Sequence, residues 1–355
     1  MVELLQVATA VPPHCVEVSD TKSYLERFLS PTAAKRYGRM ADGARIHKRY
    51  TVVPPDELVK LGPIESRNRV YTTHALSLGG AVARDALATG KTDPNTVTAV
   101  LSVSCTGYMM PSLEAHLGRH LGLSPIARRI PISELGCSAG VGAVGLAAEL
   151  LASASQRNVL LISVEICSPL VQIVEPSTTD VLANLLFGDA AAAAILSTET
   201  NGDGPQVLAS QSCLWPDSLE HLGMRMTDAG LRLVLSPELP RLVRSRLRAT
   251  VDGFLALHAL SRNDVKFWAI HPGGPRILEA VAESLELSDA TVQPTWDVWE
   301  HYGNLSSSTV FFILSQIQQD VPPSPGEVGM LLALGPGVTC EMVLLRAAGW
   351  LSQPL

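Results

Sequence analysis

Short apolar segments with β-strand character alternate with helical patterns along the whole chain. The strand-like runs are LLQVAT, VTAVLSVS, NVLLISVEI and AAAAAILS in the first half, and VKFWAIH and VGMLLALG in the second. Between them lie helical patterns such as SLEAHLGRHLG, GAVGLAAELLAS and PRLVRSRLRATVDGFLAL. Alternating strands and helices are typical of folds in which helices cover a largely buried sheet. The sequence therefore predicts a layered α/β architecture.

The two halves of the chain resemble each other weakly. Each contains a strand, a glycine-rich turn with a reactive type of residue, and a helix: ISELGCSAGVGAVGLAAELL in one and FWAIHPGGPRILEAVAESL in the other. A chain of 355 residues is long enough for about two domains or two halves. The loop-like segment STETNGDGPQ is either the boundary between them or a surface hairpin. We predict an N-terminal half of residues 1–200 and a C-terminal half of residues 201–355.

Composition excludes several classes of protein. Only 17% of the residues are charged and the net charge is −7, so neither a nucleic-acid surface nor a polybasic membrane patch is expected. The six cysteines form no CxxC pair and no metal or disulfide pattern. No apolar run approaches the roughly 20 residues of a membrane helix, and Glu3 argues against a signal peptide. We therefore expect a cytoplasmic protein without stable membrane insertion.

Cys137 is the candidate nucleophile. It lies in GCSAG, between the segment RIPISELG and a helix of small residues, and Gly136 permits a tight turn before it. A sulfur at a helix N-terminus lies near unpaired N–H groups and the positive end of the helix dipole, and both lower the pKa of a thiol. The alternative is a structural cysteine buried in a turn of glycine and alanine.

His271 and Asn304 are the candidate hydrogen-bond donors. His271 follows the strand-like run VKFWAI and precedes PGG, and Asn304 lies in YGNLSSS before an amphipathic helix. Either residue alone is explained as a structural histidine or a helix cap. Together, a neutral imidazole and a carboxamide can stabilise an oxygen that gains negative charge. With a thiolate they suit acyl transfer and carbon–carbon bond formation at a thioester.

The order Cys137, His271, Asn304 resembles that of the thiolase-fold condensing enzymes, and in detail that of type III polyketide synthases, the chalcone-synthase-like family. The motifs SCTGYMMPS, LFGDAAAA, HPGGPRIL, YGNLSSS and LGPG also agree, in order, over nearly the whole chain. The resemblance implies a thiolase-like layered αβαβα fold built from two duplicated halves. It implies that Cys137 carries the starter and the growing chain, while His271 and Asn304 promote malonyl decarboxylation. An imidazolium at His271 would keep Cys137 as a thiolate.

The resemblance also assigns residues to the reaction cavity. Phe187 matches a gatekeeper, and Leu233 stands where plant members have a second gatekeeper phenylalanine. Met224 replaces a small glycine, and Cys105 is typical of bacterial members. Met110 matches a residue that reaches into the partner's cavity, which implies a homodimer. The complete predicted cavity set is Phe187, Leu233, Cys105, Cys167, Met224, Ser306 and Met110.

CoA thioesters are the substrates that the resemblance implies. Arg36 and Arg39 match basic positions that bind the CoA phosphates, and Arg276 is a further candidate from its position. The alternative for these arginines is a solvated surface. Gly273 and Gly274 match glycines whose backbone binds the pantetheine arm. The predicted partners are an acyl-CoA starter, malonyl-CoA and a second copy of the chain, with no metal or organic cofactor.

The predicted function is a type III polyketide synthase that extends an aliphatic starter of medium to long chain to an alkylpyrone or alkylresorcinol. Small or soft side chains favour an aliphatic starter, and these are Cys105, Cys167, Leu233 and Leu334. One alternative is a 1,3,6,8-tetrahydroxynaphthalene synthase that uses malonyl-CoA only. Another is β-ketoacyl-carrier-protein synthase III, whose histidine segment usually reads HQAN rather than HPGGP. A non-enzymatic scaffold is disfavoured because Cys137, His271 and Asn304 are intact.

Overall fold

The computed structural model describes residues 1–20, 30–58, 60–152, 157–172, 176–199, 202, 204–228 and 230–348. The strands are β1 (Val2–Ala10), β2 (His14–Glu17), β3 (Lys48–Thr51), β4 (Val97–Val103), β5 (Arg128–Ile132), β6 (Asn158–Glu165), β7 (Ala190–Ser197), β8 (Gln206–Leu214), β9 (Leu222–Thr227), β10 (Gly230–Leu235), β11 (Val265–Ile270), β12 (Val328–Gly335) and β13 (Thr339–Arg346). The α-helices are α1 (Pro31–Gly43), α2 (Pro55–Leu58), α3 (Ile64–Thr89), α4 (Leu113–His120), α5 (Ala139–Leu151), α6 (Thr178–Leu186), α7 (Leu239–Leu257), α8 (Pro275–Leu285), α9 (Asp289–Tyr302) and α10 (Thr309–Asp320).

Within the described residues, nine strands form one sheet in the order β11-β12-β13-β8-β1-β7-β6-β4-β5. In the first half, β4 is parallel to β6, β6 is antiparallel to β7, and β7 is antiparallel to β1. The second half repeats this pattern, with β11 parallel to β12, β12 antiparallel to β13, and β13 antiparallel to β8. The two repeats meet where β1 pairs with β8. Both halves therefore follow one strand plan, as the prediction of two duplicated halves requires.

The helices form three layers around the two halves of the sheet. Side chains of α5 and α10 share one core with strands of both halves, so these two helices form the central layer. The long helix α3 covers the outer face of the first half, and α7, α8 and α9 cover that of the second. Alternate residues of β6 and β7 belong to the central and the outer core, as expected for a sheet buried on both faces. The predicted αβαβα layering is confirmed.

The strand-like runs identified from sequence correspond to β1, β4, β6, β7, β11 and β12. Strands β8 and β13 did not emerge from the sequence because QVLASQSCL and TCEMVLLR mix polar and apolar side chains without a clear alternation. The predicted boundary between residues 200 and 201 lies outside the described residues and stays a prediction. The candidate residues Cys137 and His271 follow β5 and β11 respectively, at the carboxyl ends of parallel-paired strands. Turns at such strand ends are where α/β folds position reactive groups.

Candidate active site

Cys137 lies in a tight turn that leads directly into the central helix α5. The turn is a single 3-10 turn, Gly136–Ser138, and Gly136 has φ +53°. A Cβ atom at position 136 would lie 2.7 Å from Cγ of Pro336, so both the conformation and the space require glycine. Pro336 belongs to the LGPG segment and lines the same cavity as Cys137. The LGPG segment therefore packs against the turn that presents the sulfur.

Burial dominates the electrostatics of the Cys137 thiol. It raises the pKa of Cys137 to about 11, and the nearby Glu165 carboxyl adds to the increase. The hydroxyl of Ser306, 3.5 Å from Cys137 Sγ, acts in the opposite direction but does not compensate. Burial therefore opposes the thiolate that the helix N-terminus favours, and the thiolate stays a prediction.

His271 is buried and unpartnered. It follows β11, its backbone N–H donates to Leu332 O at 2.8 Å, and its side chain is 3% exposed. Neither Nδ1 nor Nε2 has a hydrogen-bond partner among the described residues. Burial lowers the pKa of His271 to about 4, which favours the neutral imidazole expected of a donor beside Asn304 over the imidazolium expected beside a thiolate. Buried polar atoms are rarely left unpaired in proteins, so both ring nitrogens are candidates to form hydrogen bonds with a ligand.

Asn304 is fixed between α9 and α10 with its amide orientation set by its neighbours. Its Oδ1 accepts from Ser306 N at 2.8 Å, so Nδ2 must point the other way. The Nδ2 group lies 3.5 Å from Gly273 O, a long contact that leaves donor capacity for another acceptor. Asn304 does not cap α10, because a separate 3-10 turn, Ser306–Ser308, precedes that helix.

Two residues connect the three candidates across the fold. Ser306 contacts Cys137 through its hydroxyl and Asn304 through its backbone N–H. Gly273, two residues after His271, contacts the amide of Asn304. The three segments that carry the candidates thus lie together, although His271 and Asn304 are not among the described residues that line the cavity with Cys137. The catalytic roles themselves stay predictions.

One cavity collects most of the predicted cavity residues. Its walls include Cys137 and are largely formed by apolar side chains. Of the predicted set, the residues that line it are Phe187, Leu233, Cys105, Cys167, Met224 and Ser306. Leu334, which sequence reasoning used as a soft cavity residue, is instead buried in the core formed by α7, α8 and α9. It does not belong to the lining because its position in β12 turns it towards the outer helices.

The other predicted positions lie outside this cavity. Met110 is 80% exposed and lies at a separate surface depression formed by residues near the start of α4. Arg36 is half-buried and Arg39 exposed on α1, and Arg276 is exposed at the start of α8. None of these three is among the described residues that line the cavity. Their proposed contact with CoA therefore stays a prediction.

The glycines of HPGGP differ in what they require. Gly273 has φ +63°, which favours glycine, whereas Gly274 is extended. A Cβ atom built on Gly274 would have no described atom within 4 Å, so open space adjoins its backbone. That space is compatible with the close approach of a ligand to the turn. Binding of pantetheine at this turn stays a prediction.

Sequence reasoning missed a buried carboxyl group beneath the cavity. Glu165 at the end of β6 is fully buried and accepts from Cys105 N at 3.1 Å and Thr106 Oγ1 at 3.0 Å. It also accepts from Ser306 Oγ at 3.2 Å and from the hydroxyl of Ser307. Burial raises its pKa, although these hydrogen bonds oppose the increase. The available signal was a glutamate as the single charged residue in the largely apolar run NVLLISVEI.

A buried arginine at the cavity wall was also missed. Arg49 Nη1 donates to Phe187 O at 3.1 Å and to Asn184 O at 2.5 Å. The backbone of Phe187 also forms a β-bridge with Asn304. Arg49 therefore helps to fix the gatekeeper position beside the Asn304 turn. No local motif signals this role, because the partners lie 135 and 138 residues further along the chain.

Comparison with known proteins places this fold and site in one family. Residues 1–200 match the family model for the N-terminal domain of chalcone and stilbene synthases, and residues 206–349 match that for the C-terminal domain. The chain belongs to the chalcone and stilbene synthase family, the type III polyketide synthases. The match to this family decides against β-ketoacyl-carrier-protein synthase III. The chain is a decarboxylative condensing transferase, which decides against a scaffold.

Bacterial relatives align over nearly the full length. The chain is 34% identical to the 1,3,6,8-tetrahydroxynaphthalene synthase of Streptomyces peucetius subsp. caesius, over 96% of this chain and 92% of that one. It is 29% identical to the α-pyrone synthesis polyketide synthase-like Pks18 of Mycobacterium tuberculosis, over 95% and 89%. The crystal structure of 1,3,6,8-tetrahydroxynaphthalene synthase from Streptomyces coelicolor A3(2) superposes with a TM-score of 0.93 at 28% identity, over 98% and 99%. The thiolase-like fold is thereby confirmed.

Among the described residues, no helix has the length and apolar character required to span a bilayer. The predicted cytoplasmic location, the homodimer and the lack of a cofactor stay predictions.

Proposed function

We propose that the protein loads an aliphatic acyl-CoA on Cys137, extends it with malonyl-CoA, and cyclises the product to an alkylpyrone or alkylresorcinol. The catalytic part is supported by the buried imidazole of His271, which has no hydrogen-bond partner among the described residues, and by the Asn304 amide, which contacts the Gly273 oxygen of the same turn and keeps donor capacity. Such paired neutral donors suit a thioester oxygen that becomes an enolate oxygen. The three residues then divide the reaction between a nucleophile and an oxygen-binding pair.

Loading begins with the neutral thiol of Cys137. As its sulfur attacks the starter thioester, the neutral ring of His271 takes the thiol proton. The C–S bond to CoA then breaks, and the departing CoA sulfur receives that proton. Burial keeps His271 unprotonated in the free protein, so its ring has a free lone pair for this proton. The same burial lowers its basicity, so the transfer depends on the negative charge that develops as the sulfur attacks. The result is an acyl thioester on Cys137 and free CoA.

Extension uses the donors for a different step. Malonyl-CoA loses carbon dioxide, and the electron pair of the broken bond forms an enolate whose oxygen accepts from His271 and Asn304. The enolate carbon attacks the acyl carbonyl on Cys137, and the sulfur leaves as the new carbon–carbon bond forms. The extended chain is then a β-ketoacyl-CoA that can return to Cys137. Repetition gives the poly-β-keto chain that cyclises.

The apolar lining of the cavity supports an aliphatic starter. Beside the predicted residues, its walls include Leu58, Leu170, Val171, Leu222 and Leu231. Burial of alkyl chain against such walls stabilises the complex by about 0.8 kcal/mol per methylene. A growing aliphatic chain therefore gains binding energy with its length until the cavity is filled.

A second candidate is synthesis of 1,3,6,8-tetrahydroxynaphthalene from malonyl-CoA alone. It is supported by the 34% identity to a relative with that name. Cys105 also lines the cavity, and its sulfur lies 3.4 Å from Ser306 Oγ. A starter carrying a carboxylate would find the cations Arg49 and Arg232 in the same lining.

The proposal includes a homodimer and a group of arginines that binds CoA at the entrance of the cavity. Three large side chains near one surface are strongly exposed: Tyr108 at 65%, Met110 at 80% and Ile126 at 91%. Their burial against a second copy would stabilise a dimer and bring Met110 towards the partner's cavity. Light scattering distinguishes a dimer from a monomer, and Met110→Glu should weaken the association.

Arg36, Arg39 and Arg276 would bind the phosphates of CoA.

The decisive experiment is a starter competition with the purified protein. Equal amounts of malonyl-CoA, hexanoyl-CoA and palmitoyl-CoA are supplied, and products are identified by mass spectrometry. We expect products that contain the longer acyl chain, whereas 1,3,6,8-tetrahydroxynaphthalene formed from malonyl-CoA alone would establish the second candidate. Intact-mass analysis of Cys137→Ala should show no acyl adduct, with some malonyl decarboxylation retained. An adduct on that variant would remove Cys137 from its role.

A further inference from the structure

An ion pair crosses the cavity wall between the two elements that carry the gatekeeper positions. Arg232 on β10 donates through Nη1 to Asp180 Oδ2 in the first turn of α6, at 3.1 Å. Both residues belong to the cavity lining. Leu233 directly follows Arg232 in sequence, and Phe187 directly follows the last residue of α6. The ion pair therefore joins the strand of one gatekeeper position to the helix of the other.

Asp180 is held firmly on the α6 side. Its Oδ2 also accepts from the backbone N–H of Ser177 at 2.9 Å and from the Ser177 hydroxyl at 2.7 Å. The Ser177 hydroxyl in turn accepts from Asp180 N, which completes a capping box at the start of the helix. The helix N-terminus favours the negative charge of this carboxylate. The ion pair therefore connects Arg232 to the backbone at the start of α6, because the capping box holds the Asp180 carboxylate in place.

Burial separates this ion pair from ordinary surface pairs. The side chain of Asp180 is 2% exposed and that of Arg232 is 31% exposed. Exposed pairs contribute little because water screens them, whereas loss of one partner from a buried pair leaves an uncompensated charge. By contrast Arg225, which lies opposite Arg232 in the β9–β10 register, is exposed and forms no ion pair with the described residues. The β9–β10 hairpin thus contains a second arginine, Arg225, that is a matched control for Arg232 without its ion pair.

We propose that the Arg232–Asp180 ion pair sets the width of the passage between Phe187 and Leu233 and so selects acyl starters by their width. This inference rests on the proposed function, because it concerns the starter that reaches Cys137. With the pair intact, α6 and β10 are held at a fixed separation that admits straight alkyl chains. Without it, the hairpin can move away from α6, and wider acyl groups enter.

The test compares how fast Cys137 is loaded with hexanoyl-CoA and with benzoyl-CoA, measured by intact mass. The variants are Arg232→Met, Asp180→Asn and the double variant, with Arg232→Lys as the conservative change and Arg225→Met as the matched control. Pocket changes the size of one methylene alter discrimination by roughly tenfold or more. We therefore expect each single variant to raise the benzoyl to hexanoyl ratio about tenfold. The double variant should match the single ones, because both remove the same connection.

The controls show whether a changed ratio comes from loss of the Arg232–Asp180 ion pair or from a general loss of structure. Arg232→Lys should retain most of the wild-type preference, and Arg225→Met should retain all of it. Asp180→Asn keeps one acceptor oxygen for the capping box and removes the negative charge, so it tests the ion pair even where Arg232→Met fails to fold. An unchanged ratio in Asp180→Asn, or an equal change in Arg225→Met, overturns the inference. Failure of the wild type to load any acyl-CoA, malonyl-CoA included, instead overturns the proposed function.

Discussion

The turns that begin the two central helices occupy equivalent places in the two halves, yet they carry different chemistry. Gly136–Ser138 begins the approach to α5 and presents Cys137, whereas Ser306–Ser308 precedes α10 and presents a hydroxyl. The two side chains meet, with Cys137 Sγ and Ser306 Oγ 3.5 Å apart. A duplicated scaffold thus brings equivalent turns together, and a nucleophile is needed on only one side.

The strand ends show the same division. Strands β4 and β11 hold equivalent places in the two halves of the sheet, and Cys105 follows the first by two residues while His271 directly follows the second. Cys105 contacts the buried Glu165, whereas the His271 ring has no partner among the described residues. The first half therefore holds the candidate nucleophile, and the second half holds the donors. Such a division predicts that loading and decarboxylation can be impaired separately.

The largest expected effect comes from removing a donor of the second half. His271→Ala or Asn304→Ala should lower the rate of malonyl-CoA decarboxylation about 10²–10³-fold, because one donor to the developing enolate oxygen is lost. Carbon dioxide release measures this step. Asn304→Ala should still form the acyl adduct on Cys137, because the nucleophile lies in the other half.

Ser308→Ala serves as the control for the Asn304 turn, since Ser308 is buried nearby and its hydroxyl contacts Ser163 rather than a candidate residue. Normal carbon dioxide release from Asn304→Ala, or equal loss of loading and decarboxylation, would contradict the division between the halves.

A smaller effect concerns the pH dependence of the first half. Because burial raises the pKa of Cys137 to about 11, its thiolate fraction should rise about tenfold per pH unit from pH 6 to 9. Iodoacetamide alkylation, followed by peptide mass spectrometry, measures this fraction at Cys137 alone. Cys15 is exposed and gives an internal reference for an accessible thiol. A rate already constant at pH 6 would instead show a thiolate paired with an imidazolium.

The smallest effect concerns the stability of the turn that presents the nucleophile. Gly136→Ala forces a side chain into a left-handed conformation and against Pro336, so it should lower the free energy of unfolding by about 1–3 kcal/mol. Urea denaturation measures the change. Gly118→Ala is the matched control, since a Cβ there meets nothing within 4 Å in helix α4. Gly118→Ala should raise the free energy of unfolding by about 0.5–1 kcal/mol. Equal destabilisation of both variants would contradict the claim that the turn requires glycine at position 136.

Motifs with strong local rules could be identified from the sequence. The apolar runs of β6 and β7 indicate buried strands, and the structure buries every residue in them. The motifs GCSAG, HPGGP and YGN indicate turns that only a few residue types permit. Glu165, Arg49 and Asp180 were not identified as parts of the site. Apart from the capping box between Ser177 and Asp180, their partners lie between 52 and 142 residues away in sequence, and no local pattern encodes such contacts.

The sequence by itself determined the layered α/β plan, the family resemblance and the residues that can carry the chemistry, because these depend on periodicity and on short motifs. Only the tertiary structure decided what surrounds those residues. Burial raises the pKa of Cys137 and lowers that of His271, because it removes the water that would solvate a thiolate or an imidazolium. Solvation depends on what surrounds a residue from every side, and most of those neighbours are distant in the chain.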